Sequence, residues 1–156
     1  MDLNINAFSQ FDQKWALLTA GTKDNFNTMT ISWGGMGTLW SRPVVTVYVK
    51  PIRYTYEFME KNDYFTVSFF PEEYKGALGI LGTKSGRDCD KVALSGLTPV
   101  EVKDSMSFRE AAITVVCKKI YHQDLDVSQV PEDAKEHYYK HEAAHRMYIG
   151  EVVEIL

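Results

Sequence analysis

Cysteine is scarce in this chain of 156 residues: there are two, Cys89 and Cys117. They form neither a C-x-x-C pair nor the spacing of a secreted disulfide framework, so both are expected to be reduced thiols. No apolar run approaches the roughly 20 residues that cross a bilayer, which argues against a membrane-spanning helix. The opening MDLNINAFSQFDQKW lacks a positive stretch followed by an apolar one, so no secretory signal is expected. Positive charge is also in deficit, with 17 Lys and Arg against 21 Asp and Glu and a formal net charge of −4. Without a basic run, such a balance repels a phosphate backbone and speaks against general nucleic-acid binding. Neither G-x-G-x-x-G nor G-x-x-x-x-G-K-[ST] occurs, which excludes Rossmann and P-loop nucleotide sites, and there is no nucleophile elbow. A soluble, cytoplasmic protein without nucleic-acid or membrane partners is the expectation.

What is present is β-rich. Hydrophobic residues make up 45% and aromatics 13%, and the length suits one domain spanning 1–156. WALLTAGT (15–22), TMTISW (28–33), VVTVYVK (44–50) and YFTVSFF (64–70) are dense in β-branched and aromatic residues and bounded by turn formers. The first two, joined by a short polar link, predict a hairpin. A short strand within GLTPVEVKD, a long one over 111–125 and a final one over 146–156 complete the set. Helices are predicted over 55–62, over 72–83 after Pro71, and over 131–145 after Pro131. Six or seven strands with short helices in the connections predict an antiparallel barrel and not a βαβ array.

Four segments hold candidate chemistry. HEAAH (141–145) matches the H-E-x-x-H zinc pattern, with His141 and His145 one helical turn apart and Glu142 as a potential general base. A catalytic zinc needs a third protein ligand, and no His or Cys follows His145, so a zinc hydrolase is the distant alternative. In NTMTISWGG (27–35), Thr28, Thr30 and Ser32 alternate with Met29 and Ile31, so one strand face carries hydroxyls and the other meets a core. That face is either an exposed edge or the wall of a polar ligand site. In KPIRYTYEF (50–58), Arg53, Tyr54 and Thr55 stand at a helix start, where unpaired N–H groups and partial positive charge collect phosphates. Ordinary N-capping by Thr55 explains the same spacing. The loop GTKSGRDCDK (82–91) is either a polar flap or only a loop.

In that order and spacing, NTMTISWGG, KPIRYTYEF, SGRDCDK and the ending HRMYIGEVVEI resemble the flavin reductase-like family, and within it the flavoredoxin-like branch. The resemblance implies a mainly β fold, a six- to seven-stranded antiparallel split β-barrel of Greek-key type with short peripheral helices. It implies a homodimer that binds FMN and uses NAD(P)H as co-substrate, with an electron-acceptor protein as a further partner. By that analogy Asn27, Thr28, Met29, Thr30, Ser32 and Trp33 line the flavin ring and ribityl chain. Tyr48, Val49 and Lys50 supply backbone contacts. Arg53, Tyr54 and Thr55 hold the phosphate, and Ser85, Gly86 and Lys91 close the pocket. His145 is the nicotinamide-side candidate. The implied activity is hydride transfer from NAD(P)H to flavin, the alternative being an FMN-holding electron carrier that oxidises NAD(P)H poorly.

Overall fold

The structure, a computed structural model, describes residues 2–156; Met1, the first residue of the expected domain, lies outside the described residues. Strand β1 (Ala16–Gly21) pairs antiparallel with β2 (Phe26–Ile31), forming the predicted hairpin from Ala16↔Ile31 to Gly21↔Phe26. Its link is closed by Thr22 and Asn25, which exchange backbone hydrogen bonds of 3.0 and 3.1 Å. Gly21 sits at φ +117°, and a Cβ there would lie 2.4 Å from the Asn25 carbonyl oxygen. Strand β3 (Gly34–Leu39) then pairs with β4 (Arg42–Val49) through a tight turn at Trp40 and Ser41, both at positive φ. Three glycines in GGMGTL hide β3 from a reading based on strand propensity.

Helix α1 (Ala7–Asp12) precedes the hairpin, and α2 (Tyr54–Lys61) joins β4 to β5 (Tyr64–Phe69). A 3₁₀ turn at Glu72–Tyr74 leads into α3 (Lys75–Thr83), followed by α4 (Lys91–Ser95). A separate ribbon of β6 (Pro99–Val102) and β7 (Ser105–Phe108) follows. The chain ends with β8 (Ile113–Asp124), a second 3₁₀ turn at Val127–Gln129, α5 (Glu132–Tyr138) and β9 (Arg146–Ile155). Nine strands thus form among the described residues. The two beyond the expected seven are β3 and β7. Seven of the nine make one antiparallel sheet, in the order β2-β1-β5-β8-β9-β4-β3.

That order dictates the overall curl. The outermost strands β2 and β3 are consecutive in the chain, and only Ser32 and Trp33 separate Ile31 from Gly34. Three Cα–Cα steps reach at most about 11 Å, whereas the edges of a flat seven-stranded sheet lie about 29 Å apart. The sheet must roll until its edges meet, yet β2 and β3 do not pair, so the barrel stays open along a seam. Register shifts at Val116/Cys117 and Lys119/Tyr121 in β8 add the local coiling that rolling requires.

The rolled sheet encloses Leu18, Val47, Phe65, Val67, Val115, Cys117 and Tyr148, all fully buried. A second cluster outside it, including Leu17, Leu78, Leu81 and Phe108, packs α3 and the ribbon against β1. Both faces of β1 are therefore covered, which explains why WALLTAG reads as a continuous apolar run. The helix predicted over 131–145 ends at Tyr138. The Leu125 N–H donates to the His145 carbonyl at 3.0 Å, extending the β8–β9 ladder to residue 145. The chain must leave the helix early to reach that partner.

Glycine substitutions check this packing. A Cβ at Gly150 would fall 2.6 Å from the Phe65 ring and 2.7 Å from the Cys117 Cβ, so Gly150→Ala is expected to cost about 1–3 kcal/mol in urea unfolding. At Gly79, inside α3, a Cβ meets nothing within 4 Å, and Gly79→Ala should stabilise by about 0.5–1 kcal/mol.

Candidate functional site

A cleft of about 560 Å³ opens along the β2 edge of the seam, within the range of roughly 300–1,000 Å³ common for ligand sites. Asn27, Met29 and Thr30 of β2 form its floor, and the link residues Ser32 and Trp33 one end. The expected alternation is visible in part. Met29 and Ile31 are buried in the barrel core, but the hydroxyls opposite are largely spent on the fold. The Thr28 Oγ1 donates to the Leu18 carbonyl at 3.2 Å and lies 2.8 Å from the Thr19 Oγ1, away from the cleft. Thr30, which does line the cleft, donates its hydroxyl to the Leu78 carbonyl of α3.

The far end is cationic. Tyr48 of β4 and Lys50 just after the strand face the cleft, the Lys50 ammonium reaching Tyr138 and Glu142 at the opposite end, while Val49 between them is buried in the core. Arg53 occupies the N-cap position of α2 with no side-chain cap. Thr55 is the second residue of the helix and not its cap. Its buried Oγ1 accepts from the Asn27 Nδ2 at 2.8 Å, leaving the hydroxyl proton unassigned to any partner among the described residues. The backbone N–H groups of Tyr54 and Thr55 likewise have no acceptor among the described residues. Nor does any carboxylate there lie within ion-pair distance of Arg53.

Beside this helix start stands Lys91, which is 4% exposed. Its ammonium donates to the Leu81 and Lys84 carbonyls at 3.1 and 3.2 Å, closing the C-terminal end of α3. Burial, and then the nearby Arg53 charge, push its pKa down to about 8. The loop 84–90 is held against α2 by Arg87, which donates to the Ile52 carbonyl at 3.2 Å, pairs with Glu57 at 3.3 Å and lies over the Tyr54 ring. Ser85 lines the cleft. Gly86 lies outside it, where a Cβ would strike the Asn27 Oδ1 at 2.3 Å, and faces an adjoining hollow.

The opposite end is aromatic. Trp33 meets Tyr138 edge to face at 4.8 Å and His145 at 5.3 Å between ring centres. The Tyr139 hydroxyl lies 2.7 Å from the His145 Nδ1. Burial, then the charges of Lys50 and Arg53, lower the His145 pKa to about 4. The ring is neutral at physiological pH. HEAAH does not form a zinc site: His141 and Glu142 lie beyond the end of α5, and the Glu142 carboxylate is paired with Lys50. Among the described residues no group of three or more His, Cys, Asp and Glu is placed to hold a metal.

Tyr138, Glu142, Thr83 and Lys84 also line the cleft. Sequence reading assigned none of them to it. Their segments carry no periodic pattern aimed at the site, and the two tyrosines at 138–139 are the one local hint.

An open antiparallel barrel with a cleft at its seam, cationic at one end and aromatic at the other, defines a split-barrel ligand-binding protein. The chain belongs to the flavin reductase like domain family, whose model matches residues 8–156. No curated protein sequence matches it. Among solved structures it is similar to an FMN-binding domain of a flavin reductases-like enzyme from Shewanella baltica, at 20% identity and a TM-score of 0.69, over 96% of this chain and 71% of that one. Flavoredoxin of Desulfovibrio vulgaris is similar at 23% identity and a TM-score of 0.71, over 91% and 68%. An FMN-binding protein from Thermus thermophilus, solved with 1-cyclohex-2-enone, gives 17% and 0.74, over 100% and 76%. These similarities carry the fold.

The His145 environment makes a pH prediction. An unfolded histidine takes up its proton near pH 6.5 and the folded one near 4, so the unfolded chain binds more protons between those values. Stability therefore falls as pH drops through that window. His145→Asn should make the acid-side slope of unfolding stability shallower, and NMR should show no titration of the His145 ring between about pH 5 and 8.

Proposed function

We propose that the chain binds FMN in this cleft and acts as an NAD(P)H-dependent flavin reductase. The observation that carries the reading is Arg53, a guanidinium with no carboxylate in ion-pair distance among the described residues, beside the buried Lys91 ammonium and a helix start without a side-chain cap. Two like charges and free N–H groups converging on one spot form a donor set suited to a single phosphate group. The residues present fit FMN. The cationic end suits its phosphate, the polar edge of β2 its ribityl chain, and the aromatic end its flat ring.

FMN, when bound, supplies the hydride acceptor. The contribution of this chain is binding and orientation. Arg53, Thr55 and the first turn of α2 would anchor the phosphate, so that the ring is held in one register along β2. Asn27 is itself fixed by Thr55, and it links the phosphate end to the floor. At the other end Trp33, Tyr138 and neutral His145 present flat surfaces against which a second planar group can stack at reacting distance. The Tyr139 hydroxyl fixes the imidazole through Nδ1 and leaves the other ring nitrogen without a partner among the described residues. On this reading no acid–base pair is required of the protein, because a hydride transfer needs none. The family and the FMN named for its structural relatives point the same way.

We also propose a homodimer, supported by Trp40 and Tyr121. They touch edge to face at the tip of the β3–β4 turn, yet stay 61% and 39% exposed. Together they form an apolar patch ready for a second copy.

Titration of the purified chain with FMN should quench flavin fluorescence. Arg53→Ala should weaken binding about 10- to 150-fold, the weight of a charge-assisted hydrogen bond of about 1.5–3 kcal/mol. Unchanged affinity would move the phosphate elsewhere. With excess FMN, steady loss of NADH or NADPH absorbance is expected; bound FMN without that loss would support the electron-carrier reading instead.

A further inference from the structure

Between β8 and β9 the chain makes an excursion, residues 125–145, whose attachments are uneven. Its base is firm. Leu125 and His145 share a backbone hydrogen bond of 3.0 Å, and Arg146 pairs with Asp124 at 2.7 Å and with Glu60 of α2 at 2.9 Å. Beyond the base the excursion is lightly held. Helix α5 buries none of its residues. Two of its ion pairs, Lys135–Glu132 and Lys140–Glu136, are internal to the excursion and tie it to nothing else. What reaches the barrel is one cation and one ring. The Lys50 ammonium donates to the Tyr138 carbonyl at 2.9 Å and to the Glu142 carboxylate, and Trp33 meets Tyr138 edge to face.

Lys50 directly follows the last residue of β4, Val49, and its side chain is 16% exposed, against 42% for Glu142. A fixed, mostly covered cation therefore grips a mobile-side carboxylate. Segments with little buried apolar surface open at much lower free energy than the core around them, and an exposed ion pair adds only a small, salt-sensitive resistance. Tyr138 and Glu142 are also cleft walls, so their displacement would widen the aromatic end.

We propose that residues 126–144 are a lid over the aromatic end of the cleft, and that the Lys50–Glu142 ion pair is its latch. Opening swings Tyr138 and Glu142 away from Trp33 and Lys50 while the base at Leu125, His145 and Arg146 stays closed. The lid gates whatever planar ligand stacks at that end. Its identity as the hydride donor rests on the flavin reading, but the latch does not, and it is tested on the ligand-free chain.

Hydrogen exchange resolved by segment is the measurement. In Glu142→Gln, amides of α5 and of residues 139–144 should exchange about two- to fivefold faster, the population change that an exposed ion pair can hold. Amides of β4, β8 and β9 should be unchanged, and Trp33 emission should shift as its contact with Tyr138 loosens. Raising salt from about 0.1 to 1 M, which shortens the screening length from about 10 to 3 Å, should accelerate the same amides in the unmodified chain but not in Glu142→Gln. Equal exchange in the two chains at low salt would overturn the latch, and acceleration spread across the barrel strands would overturn the lid. Glu142 is exposed, so the variant is expected to fold. Should it fail to, the salt response of the unmodified chain decides alone.

Discussion

The two residues between Ile31 and Gly34 constrain everything else. Ser32 and Trp33 connect the opposite edges of a seven-stranded sheet, a gap that a flat sheet would place far beyond their reach. The sheet has to curl, and the hairpins on either side have to meet at a seam. Because β2 and β3 do not pair there, the barrel keeps an open edge, and an unpaired edge is the natural wall of a ligand site. Trp33 stands on the link itself. The side chain nearest the closure of the fold is therefore also part of the aromatic end of the cleft.

Charge divides the cleft along its length. Arg53 and Lys91 crowd one end, with no carboxylate of the described residues in ion-pair distance of either, and the depressed pKa of Lys91 reflects both its burial and that crowding. At the other end the positive charge of Lys50 is answered by Glu142, and His145 is kept neutral by burial and by the cations behind it. The net result is one site for an anionic group and, some residues along β2, an uncharged surface for a flat one. A ligand with its phosphate at one end and its ring system at the other matches that division.

Much of this was legible in the amino-acid sequence, and the failures have physical causes. The hairpin of β1 and β2 and the closing strand were readable because β-branched and aromatic residues bounded by turn formers mark them, and the helix after Pro51 was readable by the Tyr56 and Met59 spacing. The strand at GGMGTL was not, since its glycines carry no propensity; it exists because β4 offers a complete ladder partner. HEAAH promised helical spacing, yet the β8–β9 ladder claims residue 145 and ends the helix at Tyr138. The alternating hydroxyls of β2 suggested a ligand-facing ribbon. In the fold, Thr28 and Thr30 bind their own neighbours, because a buried hydroxyl takes whichever acceptor is at hand. Arg53 and Tyr54 were singled out by their place at a helix start, a local signal that survives folding, and both line the cleft. Tyr138 and Glu142 were not assigned to the cleft, because only the path of the chain between β8 and β9 brings them there.

That path also ties the two ends of the cleft together. Arg146 directly follows His145, and its guanidinium grips Glu60 in the last turn of α2 while Tyr148, one residue further along the same strand face, donates to that carboxylate at 2.6 Å. The Lys119 ammonium adds a bond to the Met59 carbonyl of the same turn. The helix whose first turn forms the cationic end is thus clamped at its other end by the strand that carries the aromatic end. Burial raises the pKa of Tyr148, and its hydrogen bond to Glu60 adds to the shift, so its hydroxyl remains a donor well into alkaline solution. An eight-residue helix, about 12 Å long, transmits little slack between such fixings. The residues flanking Arg53 and His145, α2 and the start of β9, are therefore tied to each other through the barrel and not only through the loops that line the cleft. The proposed lid, residues 126–144, would move without changing that frame.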